Sequence, residues 1–358
     1  HAGGLDIVVM KRDADGALVW ATQIGTDGTD RPYGVALDTQ QNVLVVGYSN
    51  GDLDGAHAAS DGDDAFLLKL APDGSLLWVV QFGDDDAADR GYGLAVSEDD
   101  AIYVAGYTKG TLGGDNAGDK DVIVARFSPA GELEWLQQFG GAGEDKGQAV
   151  AAVPGAGVAV AGMTSSDLAG ALGEIDAFVA VHDAAGNAVW TRQFGTLGWD
   201  EATGLVAADD QLAVTGFVAG DFGGPLAGDK DLMAAQFDAE GNIVWVSQLG
   251  TPLNDKGADI QRDGAGNLVV AGYTDGSLAG SAGRFDVVVI TLSPAGETLS
   301  VRQLGTVADD GADEWAEENL FLAVEGDTLA LTGLTMGQVG EAAPSGGSDV
   351  FLARMPLD

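Results

Sequence analysis

The 358 residues contain no cysteine, which excludes disulfides and thiol chemistry without choosing a compartment. Basic residues are scarce. Against 56 Asp and Glu stand only 16 Lys and Arg, a formal net charge of −40. Such a surface favours solubility, repels nucleic acid and anionic membranes, and attracts cations. No apolar run approaches the roughly 18 residues of a membrane span, so membrane insertion is not expected. Histidine occurs only at His1, His57 and His182, and neither HExxH nor a phosphate-cradling glycine loop is present. No segment sustains a helical period. The first residue is a histidine, which reads as the start of a processed or trimmed chain.

What the chain does have is a repeat. "DADGALVWATQIG" at 13–25 returns as "APDGSLLWVVQFG", "SPAGELEWLQQFG", "DAAGNAVWTRQFG" and "DAEGNIVWVSQLG". Trp20, Trp78, Trp135, Trp190 and Trp245 lie 58, 57, 55 and 55 residues apart, and a sixth copy places Ser300 another 55 on. A glycine precedes each by four residues, and a glutamine follows by three: Gln23, Gln81, Gln138, Gln193, Gln248 and Gln303. A fixed period of this length marks a repeat architecture, and the copies span essentially the whole chain, 1–358, as one domain.

One period holds four strand-like runs: in the second copy "DAFLLKL", "SLLWVVQFG", "YGLAVS" and "AIYVAGYT". "PDG" and "EDD" supply the hairpin turns between them. Four antiparallel strands per unit, repeated radially, predict an all-β β-propeller. The run of an Asp-led apolar strand, an Asp-Gly turn, a Leu-Trp strand ending in glycine, an acidic loop and a "GYT" strand resembles the bacterial SBBP β-propeller repeat. The resemblance implies a propeller of the kind found in secreted bacterial proteins, with "YGLAVS" innermost and "SLLWVVQFG" outermost in each blade. The GxxxW element is also similar to the docking motif of quinoprotein propellers, but Leu68 and Leu70 replace the Ala and Asp expected before it.

In this threading the chain enters on a third strand at Asp6, builds five full blades and then the inner pair of a sixth. The N-terminal strands are expected to complete that sixth blade and close the ring. Six four-stranded blades need 24 strands and the sequence offers 25, "SDVFLARMPLD" being a seventh third-strand copy; seven blades, the alternative, need 28. The repeated tryptophans read as apolar slabs packed between neighbouring blades.

Chemistry is sought in the loops. The acidic loops each carry an Asp five or six residues beyond the strand-ending Gly: Asp30, Asp89, Asp145, Asp200, Asp255 and Asp310. They are candidate ligands for Ca²⁺, which takes about six to eight oxygens. The competing reading makes each a turn brace, accepting backbone N–H groups or pairing with the following Arg31, Arg90, Lys146 or Lys256. The longer loops end on Asp64, Asp121, Asp176, Asp231, Asp286 and Asp349, and the first five each offer one apolar plug: Leu53, Leu112, Leu168, Phe222 or Leu278. "DGDD", with Asp61 and Asp63, suits a cation without fitting an EF-hand. His1, through its α-amino group and imidazole, is a copper chelate that His57, Asp61 and Asp63 would complete. Trp199 and Trp315 stand outside the repeat among carboxylates, as sugar-stacking or protein-contact side chains do. His182 reads as an ordinary strand side chain.

These features point to a secreted or cell-surface bacterial binding or structural module, with the periplasm as an alternative location. Divalent cations would stiffen its acidic face, where a protein or polysaccharide would bind. The alternatives are a carbohydrate-active hydrolase or lyase using paired carboxylates, and an assembly subunit that uses the spare terminal strand. No catalytic residue can be singled out, because Asp and Glu are everywhere.

Overall fold

A computed structural model describes residues 3–56, 62–84, 87–155, 157–208, 210–280, 285–306, 320–335 and 349–357. All regular elements among them are strands, and none is a helix able to cross a membrane. β1 (Ile7–Arg12) and β2 (Leu18–Ile24) form a two-stranded sheet. The first four-stranded sheet runs β3 (Asp30–Leu37), β4 (Val43–Ser49), β5 (Asp64–Leu70), β6 (Leu76–Phe82). The second runs β7 (Asp89–Val96), β8 (Ile102–Thr108), β9 (Asp121–Phe127), β10 (Leu133–Phe139). The third runs β11 (Asp145–Val153), β12 (Gly157–Thr164), β13 (Asp176–His182), β14 (Ala188–Phe194). The fourth runs β15 (Glu201–Ala208), β16 (Gln211–Val218), β17 (Asp231–Phe237), β18 (Ile243–Leu249). The fifth runs β19 (Asp255–Arg262), β20 (Leu268–Thr274), β21 (Asp286–Leu292), β22 (Thr298–Leu304). β23 (Phe321–Glu325), β24 (Thr328–Thr335) and β25 (Asp349–Pro356) make a three-stranded sheet. Each is an antiparallel meander, the blade of a β-propeller. By contacts the chain divides into two compact units, His1–Leu168 with Val179–Val189, and Ala169–Phe178 with Trp190–Asp358.

The sixth blade is not completed as expected. β24 carries β25 in the register that third strands take in full blades, Thr335 opposite Asp349 as Thr274 is opposite Asp286. β1 pairs with β2 alone. Both β1 and β25 are third-strand copies, but only thirteen residues separate β24 from β25, and closing that loop costs less entropy than recruiting a strand from the far end of the sequence.

Within a blade the third strand is apolar on both faces because both are covered. β5, β13, β17 and β21 are buried at every residue. Outer strands begin exposed, and only their later residues are covered. The core lies between sheets: Leu44, Val46, Ala65 and Leu67 pack with Ile102, Val104, Ile123 and Ala125. Each Leu, Ile or Val among them contributes about 1.5–3 kcal/mol when fully buried.

The repeated Gly and Trp fasten one blade to the next. Gly74 turns the β5–β6 hairpin at φ 86°, and a Cβ there would sit 2.7 Å from the Trp20 ring. The Trp20 indole N–H donates to the Pro72 carbonyl of the same turn at 2.9 Å. Trp135 and Ala184, Trp190 and Ala239, and Trp245 and Pro294 repeat the bond at 2.9–3.1 Å. The inter-blade slab reading therefore holds. The sixth copy has no indole; there Arg302 donates to the carbonyls of Pro356 and Leu357 instead.

Candidate functional site

Each acidic loop folds around its Asp. Asp30, Asp89, Asp145, Asp200 and Asp255 are fully buried. Asp30 accepts from the Thr26 N–H at 2.6 Å, from the Thr26 hydroxyl and from the Ser49 hydroxyl at 2.5 Å. Asp145 accepts from the Gly141 N–H at 2.7 Å and from the hydroxyls of Thr164 and Ser166. Asp255 repeats this with the Thr251 N–H and the hydroxyls of Thr251 and Thr274. Asp200 uses Thr196 and the Ala219 N–H, and Asp89 the Asp84 N–H. Their own N–H groups donate to the segment leading into the preceding blade's third strand: Asp30 to Leu5, Asp89 to Asp63, Asp145 to Lys120, Asp200 to Ile175 and Asp255 to Lys230.

These carboxylates are braces, and the backbone version of that reading is the one realised. The basic residues that follow them do not pair with them. Arg90 forms its ion pair with Asp63 at 2.6 Å, and Lys146 with Glu144 at 2.8 Å. Nor do the carboxylates gather as ligands: among the described residues no three His, Cys, Asp or Glu side chains converge as a metal ion would need. Asp310, Asp61, His1, His57 and Trp315 lie outside the described residues. Asp63, offered as an oxygen ligand, is engaged by Arg90.

The third-strand Asp forms a second tier. The Gln81 amide donates to Asp64 at 3.0 Å and to the Gly51 carbonyl at 2.9 Å, while its oxygen accepts the Leu53 N–H at 2.9 Å. Gln138 makes the same three bonds to Asp121, Gly110 and Leu112. Gln248 makes them to Asp231, Gly220 and Phe222, and Gln303 to Asp286, Gly276 and Leu278. The repeated Gln thus clamps the long loop to its blade beside the apolar plug, and Leu53, Leu112 and Leu278 pack on the core as expected.

The two tiers meet. A Cβ on Gly83 would lie 2.3 Å from an Asp64 oxygen and 2.9 Å from an Asp89 oxygen; Gly140 stands likewise between Asp121 and Asp145. Burial first, and the neighbouring carboxylates second, push Asp89 up to about 6 against its hydrogen bonds. Burial likewise raises Asp145, Asp200 and Asp255, with Asp121, Asp176 and Asp231 adding like-charge repulsion.

Two groups of aromatic and cationic side chains stand apart from the braces. In the first unit a bulge in β3 and one in β7 each insert one extra residue, Tyr33 between Pro32 and Gly34 and Tyr92 between Gly91 and Gly93. Their rings meet edge to face at 4.6 Å, and each also contacts the tyrosine of its own blade, Tyr48 or Tyr107. The Arg90 guanidinium lies 4.2 Å from the Tyr48 centroid, and Arg31 lies 5.2 Å from that of Tyr33. The sequence signal for this cluster is the pair "RPYG" and "RGYG", in which the arginine reads as a partner of the preceding Asp and the tyrosine as a strand residue. In the second unit Trp199 is 44% exposed, edge to face with Phe217 at 5.9 Å. The Lys230 ammonium stands 3.8 Å from its ring centroid and 4.1 Å from that of Phe217. Leu197 and Leu253 are exposed in the same and the following acidic loop. His182 is buried against Phe139, as a strand side chain, and burial lowers its basicity.

Blades of four antiparallel strands, laced by loop carboxylates and carrying an aromatic–cationic platform, define a β-propeller repeat protein. The SBBP β-propeller repeat model matches residues 19–54, 77–114 and 244–279. The regulatory protein FlaEY of Caulobacter vibrioides is 29% identical over 333 residues, covering 86% of this chain and 30% of that protein. The chain thus spans under a third of that relative. Solved structures are similar only at the level of fold. A putative 6-phosphogluconolactonase from Bacteroides fragilis is 12% identical, covers 87% of this chain and 80% of its own, and has a TM-score of 0.46. An α-L-arabinofuranosidase from Fusarium graminearum is 9% identical, covers 100% and 99%, and has a TM-score of 0.45.

Proposed function

We propose that this chain is a non-enzymatic binding module, exported to the cell surface or beyond, that contacts a polysaccharide or protein through Trp199. The observation carrying this reading is the half-exposed indole held against Lys230 and Phe217 among acidic loops. An aromatic face fixed by a cation and a second ring presents a rigid apolar surface with little entropy left to lose on binding. The described loop carboxylates favour the non-catalytic alternative. A glycosidase needs a carboxylic acid and a carboxylate that both reach the sugar, whereas Asp89 and its counterparts are buried and accept hydrogen bonds from their own loops. The Caulobacter relative bears the name of a regulatory protein, which agrees with a non-catalytic role for such repeats; its own activity is not carried over.

The test is affinity electrophoresis through gels containing neutral or acidic polysaccharides, with wild type and Trp199→Ala run side by side. Retardation by at least one polysaccharide, lost in the variant at unchanged melting temperature, is the expected result. Release of reducing ends from any retarding polysaccharide would move the protein to the hydrolase class.

A further inference from the structure

The acidic loops of the two units differ in kind. Between the strand-ending Gly and the brace Asp, the first unit carries "TDGT" at 26–29 and "GAGE" at 141–144, whereas the second carries "TLGW" at 196–199 and "TPLN" at 251–254. The apolar side chains so introduced are exposed: Leu197 at 85%, Leu253 at 49% and Trp199 at 44%. A third leucine of the same unit joins them. The Leu172 N–H donates to Asp176 as that of Ala117 does to Asp121 and that of Ala227 to Asp231, so Leu172 stands where other long loops have alanine, and it is 48% exposed. The braces do not call for these side chains, since Asp30 and Asp145 are held by loops of Asp, Gly, Ala and Thr.

The backbone sets them in one strip. A Cβ on Gly173, next to Leu172, would stand 2.9 Å from the carbonyl carbon of Leu197. Trp199 follows two residues on, with the Lys230 ammonium against its ring. Lys230 bridges in turn to Asn254, beside Leu253, and a Cβ on Gly228 would meet the Leu253 backbone. Leucines exposed singly need no explanation, but a contiguous set where the repeat elsewhere has small or polar residues marks a contact surface. Its rim is acidic. Glu174, Asp221 and Asp229 are exposed beside Gly173, Gly220 and Gly228, the glycines that pack on these loops. In the sequence of the loops, 169–175, 195–200, 219–230 and 250–255, the single cation is Lys230, and its ammonium lies against the Trp199 and Phe217 rings.

We propose that this strip docks a protein segment in which apolar side chains are flanked by lysine or arginine. The proposal rests on the reading that the Trp199 face is the binding face, and it gives that face a partner class of its own. A sugar ring can stack on the indole, whereas three leucines offer nothing to sugar hydroxyls and are matched by the apolar side chains of a protein. The acidic rim selects the sign of the partner: it steers a basic segment in and turns an acidic one away. Apolar burial supplies the affinity, and the carboxylates supply encounter rate and choice.

Fluorescence anisotropy with short labelled peptides tests this. The probes alternate Leu with Lys, Ser with Lys, or Leu with Glu. The Leu–Lys peptide should bind wild type about tenfold more tightly than the Ser–Lys peptide, and the Leu–Glu peptide should not bind. Leu197→Ser and Leu253→Ser should each weaken Leu–Lys binding by about tenfold at unchanged melting temperature, the loss expected when one leucine is no longer there to be covered. Rising NaCl should weaken binding as the rim is screened, and Glu174→Gln combined with Asp229→Asn should flatten that dependence. Equal binding of the Leu–Lys and Ser–Lys peptides, or full binding by both leucine variants, would show only attraction to an acidic surface and would overturn the proposal. The leucine variants should keep any polysaccharide retardation that Trp199→Ala removes. A failed peptide assay beside an intact Trp199 effect therefore overturns this proposal alone and leaves the binding-face reading standing.

Discussion

Asp89 gives the sharpest test of the claim that the loop carboxylates are braces held against their own electrostatics. Its side chain is fully buried, beside Asp64 and Asp84, and its pKa is pushed from 3.8 to about 6. The folded protein therefore binds this proton more tightly than the unfolded chain does. The associated stability is fully present below the unfolded value and is lost as pH rises through about 6. At ~1.4 kcal/mol for each tenfold change in proton affinity, the whole displacement is worth about 3 kcal/mol, of which about 1.3 kcal/mol returns between pH 7 and pH 5. Asp89→Asn keeps an oxygen for the Asp84 N–H and removes the charge. Urea unfolding of both proteins at pH 5, 6, 7 and 8 gives the difference in stability directly. That difference should move in favour of wild type by about 1.3 kcal/mol on going from pH 7 to pH 5, since only wild type has this proton to gain. The diffuse repulsion of an acidic surface acts on both proteins and cancels. Equal pH slopes would refute the argument, because a carboxylate whose neutralisation leaves the slope unchanged is not titrating inside the fold.

Two further outcomes follow from the same braces and turns. Gly74→Ala should lower stability by about 2–3 kcal/mol, combining the cost of positive φ with a clash against Trp20. Gly55→Ala, at φ 80° with nothing within 4 Å, should cost only the backbone part, about 1 kcal/mol, and equal melting temperatures for the two variants would remove the indole contact from the account. Replacing EDTA with millimolar Ca²⁺ should raise the melting temperature no more than NaCl of equal ionic strength, because Asp30, Asp145 and Asp255 already accept protein N–H and O–H groups. A rise specific to Ca²⁺ would show that ligands converge in a way these residues do not.

What was legible in the sequence is what recurs, because a recurring residue must do a job that exists in every blade. Gln81 and its five counterparts could be marked without knowing their partners; for Gln81, Gln138, Gln248 and Gln303 the structure supplies these as the third-strand Asp and two backbone groups of the long loop. The brace reading of Asp30 or Asp255 also had a signal, the Ser or Thr that ends each "GYS" or "GYT" strand and donates to it. Partners that cross between blades were not legible. Arg90 follows Asp89 in sequence, yet it is paired with Asp63 and lies over Tyr48, both on the blade before, and only the bulged geometry of the inner strand aims it there. The fate of the spare strand was hidden for a different reason. β1 and β25 carry the same third-strand pattern, so hydrophobic periodicity cannot rank them as partners for β24, and chain connectivity decides. The residue that breaks the repeat is then the one free to serve something outside the fold: Trp199, for which no other described acidic loop has an indole. A repeat makes its own function hard to read, because selection for packing in every blade imposes the regularity, and binding has to be sought where the regularity fails.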